Sequence, residues 1–145
     1  MTTQSRGGGA IDLCYATTLR RASRRISQRY DHALAPVGLR ATQFAMLVTV
    51  QERQPIAINE LADLLDLDRT TAGKNVRPLE QHGLVATRTS PADRRIRTIA
   101  LTDAGADLIA RALPLWRDAQ RDTEVQIGAA LATDLRERLR DLDIG

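Results

Sequence analysis

The sequence predicts a mainly α chain, interrupted once by a two-stranded β-hairpin. Three observations predict it. Apolar residues recur at helical spacing along most of the 145 residues. Aromatic residues make up 3% of the chain, so the core must come from Leu, Ala, Ile and Val, and Ala, Leu and Arg head the helix-propensity ranking. Two runs alone, Leu84–Thr89 and Ile96–Leu101, are rich in the Val, Ile and Thr that favour strands.

Taken in order, residues 1–9 read as a flexible tail, because Gly7-Gly8-Gly9 offers no core-forming side chain. A first helix starts near Asp12. Leu19, Ala22, Ile26, Tyr30, Ala33, Leu34 and Val37 make one apolar stripe along it, with Arg20, Arg21, Arg24 and Arg25 off the stripe; Pro36 and Gly38 end it. A second helix runs from about Thr42 to Gln51, with Phe44, Leu47 and Val48 inward, and Pro55 breaks the chain again. Asn59–Leu65 is a short helix, and Asp66-Leu67-Asp68 is a turn. Asp68 can accept the free N–H groups that open the next helix, Arg69 to about His82, whose inward residues are Ala72, Val76 and Leu79. Gly83 suits its end, and Pro78 inside it removes one backbone hydrogen bond, which predicts a kink or a tightened last turn.

The two strand-like runs follow, joined by the polar turn Ser90-Pro91-Ala92-Asp93-Arg94-Arg95. Thr102 caps a long helix with Leu108, Ile109, Ala112, Leu115, Trp116 and Ala119 inward, bent at Pro114. A last helix carries Leu131, Leu135, Leu139 and Leu142.

The charge is uneven. Of 21 basic residues 20 are Arg, and the chain totals +3. Residues 69–97 hold seven basic residues (Arg69, Lys74, Arg77, Arg88, Arg94, Arg95 and Arg97) against Glu80 and Asp93, so +5 in 29 residues. Such a block is the electrostatic footprint of a phosphate-binding surface, although an Arg-rich solvated face has the same count.

Several classes fall away. A lone Cys14 makes neither an internal disulfide nor a cysteine zinc site, and His32 and His82 have no ligand-spaced partner, so no metal and no cofactor is expected. No Ser, His and carboxylate constellation supports catalysis, and Gly73-Lys74-Asn75 lacks the rest of a phosphate loop. No apolar run approaches a membrane span and the first ten residues lack a signal-peptide core, so a cytoplasmic protein without membrane contact is expected.

Helix, tight turn, helix, then a basic hairpin is the order of a winged helix–turn–helix. The second helix of that motif enters the DNA major groove. Here it offers Arg69, Thr70, Thr71, Lys74 and Asn75 to base edges and Arg77 to phosphate, with Gly73 allowing close backbone approach. Arg88, Asp93, Arg94 and Arg95 belong to the wing. An Arg at its tip suits the narrow, electronegative minor groove, and Asp93 serves to hold an Arg in position. Four segments result: tail 1–9, helix 10–37, winged domain 38–101 and terminal helices 102–145. The terminal helices carry more apolar surface than so small a winged domain can cover, which points to a homodimer.

The stretch closely resembles the MarR family of bacterial transcription regulators. The resemblance rests on Leu61-Ala62 to Leu67, Val76-Arg77-Pro78-Leu79-Glu80-Gln81-His82-Gly83-Leu84-Val85, Asp93-Arg94-Arg95 and Leu101-Thr102-Asp103-Ala104-Gly105. Gln43-Phe44 and Leu113-Pro114-Leu115-Trp116 fit the same pattern. It implies a homodimer built from the first helix and the last two, and a repressor on a pseudo-palindromic double-stranded operator. Release would come from a small aromatic or phenolic effector or an oxidant, with Arg95 as the minor-groove side chain. Arg40 departs from the pattern, which often has Thr there, so the second helix is expected to be capped differently. The peroxide-sensing branch of the family has a first-helix Cys in a run resembling Leu13-Cys14-Tyr15, which makes a redox sensor through Cys14 one alternative. Ala41 stands where that branch has a Tyr. The other alternative is a helical interaction module that shares the fold without binding DNA.

Overall fold

The computed structural model describes residues 9–143. The tail expected over residues 1–9 lies outside them apart from Gly9, which is exposed. The elements run α1 (Tyr15–Leu34), α2 (Ala41–Arg53), β1 (Ile56–Ala57), α3 (Ile58–Leu64), α4 (Arg69–Gln81), β2 (Val85–Thr89), β3 (Arg97–Leu101), α5 (Asp103–Ile127) and α6 (Ala129–Arg140). Single 3₁₀ turns at Ala10–Leu13 and Ala35–Val37 flank α1.

Most elements lie within two residues of their expected bounds, and the differences have local causes. The first α-helix opens at Tyr15 rather than near Asp12, because Cys14 is extended and stands at the N-cap. Gly38 takes φ +72 after the 3₁₀ turn, and Leu39 N–H returns to the Leu34 carbonyl at 3.3 Å. At α2, Arg40 supplies no acceptor of its own. Gln43 Oε1 accepts the Arg40 N–H at 3.0 Å, and Asp31 of α1 accepts the Ala41 N–H at 2.7 Å. The cap that the sequence lacks locally thus comes partly from the neighbouring helix, satisfying donors a helix start otherwise leaves open. Despite Pro114, α5 continues unbroken to Ile127.

A third strand was not foreseen. β1 has only two residues, too few for any periodicity, and pairs Ile56 with Ile99 and Ala57 with Thr98. The expected two-stranded hairpin, with register Val85↔Leu101 to Thr89↔Arg97, is therefore part of a three-stranded antiparallel sheet ordered β1-β3-β2. Gln54 Oε1 accepts the Leu101 N–H at 2.8 Å and tethers the base of β3 to the end of α2.

The core draws on nearly every element. Leu34, Met46, Leu47, Ile56, Leu61, Leu79, Ile99 and Ile109 are fully buried. Each such side chain contributes about 1.5–3 kcal/mol of transfer free energy. Phe44 stacks on Trp116 with ring centroids 5.8 Å apart. At Gly105 a Cβ would lie 2.2 Å from the Leu84 carbonyl oxygen and 2.7 Å from Leu101 Cδ1, so α5 can start against the hairpin base only because this residue has none.

The terminal helices behave differently. Of the apolar stripe expected on α1, only Leu34 is buried; Leu19 and Ile26 stay 38% exposed although α1 packs along α5. On α6 only Ala132 is buried, and Leu131 is 63% and Leu139 44% exposed. Beyond Leu34 and the adjoining Val37, the α1 stripe and the α6 leucines lie outside the core of the single chain.

Candidate nucleic-acid interface

The site is built on α3, α4 and the β2–β3 hairpin. Asp66, with φ +50, makes the turn after α3. Leu67 N–H reaches the Ala62 carbonyl at 2.8 Å and Asp66 N–H the Asp63 carbonyl at 3.3 Å, which closes the last turn of α3. Asp tolerates this left-handed conformation better than most residues, so the tight turn needs no glycine.

Two residues later Asp68 opens α4 as expected. Its carboxylate accepts the Thr71 N–H at 2.8 Å and the Thr71 hydroxyl at 2.7 Å. These bonds from Thr71 hold Asp68 below its ordinary carboxylate range. Thr71 is thereby committed to the cap, which limits its freedom to meet a base. Ala72, Val76 and Leu79 are buried and set the rotation of the helix. At 3.6 residues per turn Thr70, Lys74 and Arg77 then share the outward face, and all three are exposed, as is Arg69 in the first turn. Asn75 lies half-buried on a flank, and Gly73 has open space where a Cβ would stand.

Pro78 does not end α4. The expected tightening falls in the last turn, where Gly83 N–H reaches Glu80 O and Leu84 N–H reaches Leu79 O, both at 2.9 Å, with Gly83 at φ +71. This turn aims the chain directly into β2. Glu80 accepts a hydrogen bond from the Thr87 hydroxyl, so the outer side of α4 is pinned to the first wing strand. Thr102 caps α5 by accepting the Gly105 N–H at 3.1 Å and donates to Gly83 O at 2.6 Å, which joins the wing base to the end of α4. Neither Glu80 nor Asp31 was singled out from the sequence. Both act on partners brought near by the fold, and only the Glu80–Thr87 spacing across a glycine turn hinted at contact.

At the wing tip Ser90 N–H bonds Ile96 O at 2.7 Å and Ile96 N–H bonds Asp93 O at 3.0 Å. Asp93 accepts the Arg95 backbone N–H at 3.0 Å, Arg95 Nε at 3.2 Å and Arg95 Nη2 at 3.3 Å. The backbone bond first, then the guanidinium, keeps the Asp93 carboxyl below its ordinary range. The Arg95 side chain is nonetheless 91% exposed. An exposed pair of this kind adds little to stability, and its effect is to restrict the orientation of an outward guanidinium.

Among the described residues Arg95 alone of the seven basic groups in 69–97 is ion-paired within the chain. Arg69, Lys74, Arg77, Arg88, Arg94 and Arg97 are exposed cations without a carboxylate partner. The remaining singled-out residues lie elsewhere. Cys14 stands half-buried at the start of α1, held below the ordinary thiol range by the backbone N–H of Thr17 and then by its hydroxyl. His82 ends α4 with Nδ1 2.7 Å from the Pro78 carbonyl, and His32 is exposed on α1. Among the described residues no group of three or more His, Cys, Asp or Glu could hold a metal ion, and no single helix is long and apolar enough to cross a membrane.

The sequence model of the MarR family matches residues 39–96, which span the start of α2 to the edge of β3. Transcriptional repressor MprA of Escherichia coli (strain K12) is 28% identical over 120 residues, 81% of this chain. The match spans 66% of the length of that repressor. Among solved structures, the transcriptional repressor CouR, bound to a 23-mer DNA duplex, superposes with a TM-score of 0.83 at 28% identity, covering 91% of this chain and 94% of CouR. The Mycobacterium tuberculosis transcriptional regulator MosR, in complex with DNA, is 33% identical with a TM-score of 0.76, over 86% of this chain and 92% of MosR. The winged helix–turn–helix with its helical flanks and these likenesses together show that the chain belongs to the MarR family.

Proposed function

We propose that the protein is a dimeric, sequence-specific DNA-binding transcription regulator, a repressor released by a small-molecule effector. The observation that carries this reading is the set of six unpaired, exposed cations on α4 and the wing, beside a seventh held in place by Asp93. CouR and MosR, which share this fold, are both described in complex with DNA. Arg69, Thr70, Lys74 and Asn75 face base edges in the major groove, with Thr71 as a capping residue at their edge and Arg77 at phosphate. Arg88, Arg94 and Arg95 serve the wing, with Asp93 positioning Arg95. Residues 38–101 form the DNA-binding domain; residues 10–37 and 102–145 form the dimer.

The exposed leucines of α6 and the α1 stripe support dimerisation, since an uncovered apolar face of this extent marks an interface. Two copies place two recognition helices on one face of a duplex, which matches a pseudo-palindromic operator. A cavity of about 290 Å³ between α1, α2 and α5 suits a small aromatic or phenolic effector. Phe44 and Trp116 wall it, and Tyr30 reaches it from α1. Burial lifts Tyr30 above the ordinary tyrosine range, so it is a neutral donor; its hydroxyl bonds Gln120 Oε1.

Salt dependence tests the reading. Binding to a fragment of its own upstream intergenic DNA, followed by fluorescence anisotropy, should fall steeply as salt rises from 50 to 200 mM, on the order of 10³-fold or more for six or more phosphate contacts. Binding that stays flat over that range sinks the electrostatic account.

A second reading rests on Cys14, whose thiol is held toward the thiolate at a helix start. In it, the thiolate attacks the terminal oxygen of an organic hydroperoxide, the O–O bond breaks and the alkoxide leaves as the alcohol, and the resulting sulfenic acid leads to release of DNA. Peroxide release that survives Cys14→Ser excludes this route.

A further inference from the structure

We propose that Lys74 is a modification site: acyl phosphates transfer their acyl group to its amine and so switch off the recognition face of α4. Lys74 is the only lysine among 145 residues, against 20 arginines. A guanidinium stays protonated and takes no part in acyl transfer, whereas a lysine amine that sheds its proton is a nucleophile. Acylation of the chain's basic side chains therefore falls on one atom, Lys74 Nζ. The fold places that residue on the outward face of α4, beside Thr70 and Arg77.

The surroundings of Lys74 suit attack on an acyl phosphate. Lys74 is exposed and, among the described residues, has no ion pair. The nearest carboxylates along the chain on either side are engaged elsewhere, Asp68 with Thr71 and Glu80 with the Thr87 hydroxyl. Nothing lies within 4 Å of where a Cβ would stand on Gly73, so the flank of the Lys74 stem is open to a small reagent. Arg77 is exposed and also lacks a carboxylate partner. Residues three apart on a helix are surface neighbours. An acyl phosphate carries a phosphoryl dianion, which a guanidinium grips through its planar pair of donors. The cation that suits a DNA phosphate thus also holds the reagent one turn from the amine.

In the transfer, the neutral Lys74 amine attacks the carbonyl carbon of the acyl phosphate. The C–O bond to phosphorus-bound oxygen breaks, inorganic phosphate leaves with the electron pair, and the nitrogen gives its proton to solvent. The amide that forms carries no charge, so the recognition face loses one cation and its ammonium donors. The loss of operator binding rests on the DNA-binding reading; transfer to the amine does not.

The test treats the full chain with acetyl phosphate and, for comparison, with the uncharged N-hydroxysuccinimidyl acetate. Tryptic mapping should place one acetyl group on Lys74, with cleavage after residue 74 lost. Arg77→Gln should slow transfer from acetyl phosphate about fivefold relative to the uncharged reagent, because only the dianion senses the guanidinium. Operator affinity of the acetylated protein should fall about tenfold or more, the scale of one lost nucleic-acid contact. Lys74→Arg takes no acetyl group there, and its operator affinity, whatever its starting value, should stay constant through the treatment. An unlabelled Lys74, a relative rate that ignores Arg77, unchanged operator affinity after labelling, or equal loss of binding in Lys74→Arg overturns the proposal. Operator binding by the untreated protein is measured alongside. Its absence together with Arg77-dependent acetylation of Lys74 sinks the regulatory reading and leaves the modification site, and operator binding without acetylation sinks the modification site alone.

Discussion

The winged unit and the terminal helices spend their apolar residues in opposite ways. In the winged unit, Leu61, Val76, Leu79, Val85 and Ile99 are all buried within the chain, and the outside is mainly polar and charged, with Leu64 and Ile96 as its exposed large apolar residues. On α1 and α6, Leu19, Ile26, Leu131, Leu135 and Leu139 remain exposed. The first region is complete as a single copy and presents cations; the second presents leucines that one copy leaves in water. The difference separates two kinds of surface on one small protein, one suited to a polyanion and one to another apolar face.

The contrast breaks most decisively at α6. Leu135→Asp with Leu139→Asp should raise the dimer dissociation constant about a thousandfold, since four half-exposed leucines are lost per dimer, each contributing about 1 kcal/mol at an apolar interface. Sedimentation equilibrium reads this directly, and an unchanged association would mean that α6 faces solvent in the assembled protein. The winged unit should resist such a change without unfolding.

Gly105 tests whether the winged unit is sealed onto α5. Gly105→Ala places a methyl 2.2 Å from the Leu84 carbonyl oxygen, and should cost about 2–3 kcal/mol in urea unfolding. A loss below the error of the midpoint would show that the hairpin base is free to move.

Arg95→Ala sharpens the account of the charged surface. Affinity for the operator should fall about tenfold, in the range of a single lost nucleic-acid contact, with no change in thermal stability because the Asp93–Arg95 pair is exposed. Lost stability with intact binding would make Arg95 a structural residue of the tip.

The smallest effect concerns Asp68. Its folded pKa is depressed, so its contribution is complete above the ordinary carboxylate value of about 3.9 and is lost as pH falls through the lower folded value. Asp68→Asn keeps an acceptor for Thr71 and does not titrate. Its melting temperature should therefore fall less than that of the wild type between about pH 4 and pH 2.5. Parallel acid curves would mean the cap is not set by ionisation.

Features governed by neighbours in sequence were the legible ones. Asp68, Thr102, Gly83 and the Asp93–Arg95 tip each act over two to five residues, and each stands where its spacing implied. Chain order likewise specified the helix, turn, helix and hairpin, and the sharp rise in positive charge across 69–97. The α1 and α6 stripes were legible as faces with more apolar surface than the winged unit covers, whereas which of their residues stay exposed was not, because periodicity reports which residues share a face and not what covers it.

The order of the elements other than β1, the caps of α4 and α5, the tight turns and the basic block follow from the residues alone, because helix periodicity, glycine and aspartate turn chemistry and charge are local properties. Packing alone brings Asp31 to the start of α2, Glu80 to the wing and β1 to the sheet. The same holds for Arg111, which approaches His82 and Gln43 around one cavity. Those contacts join residues 7 to 68 positions apart, and no short-range pattern encodes a meeting that depends on how whole helices pack.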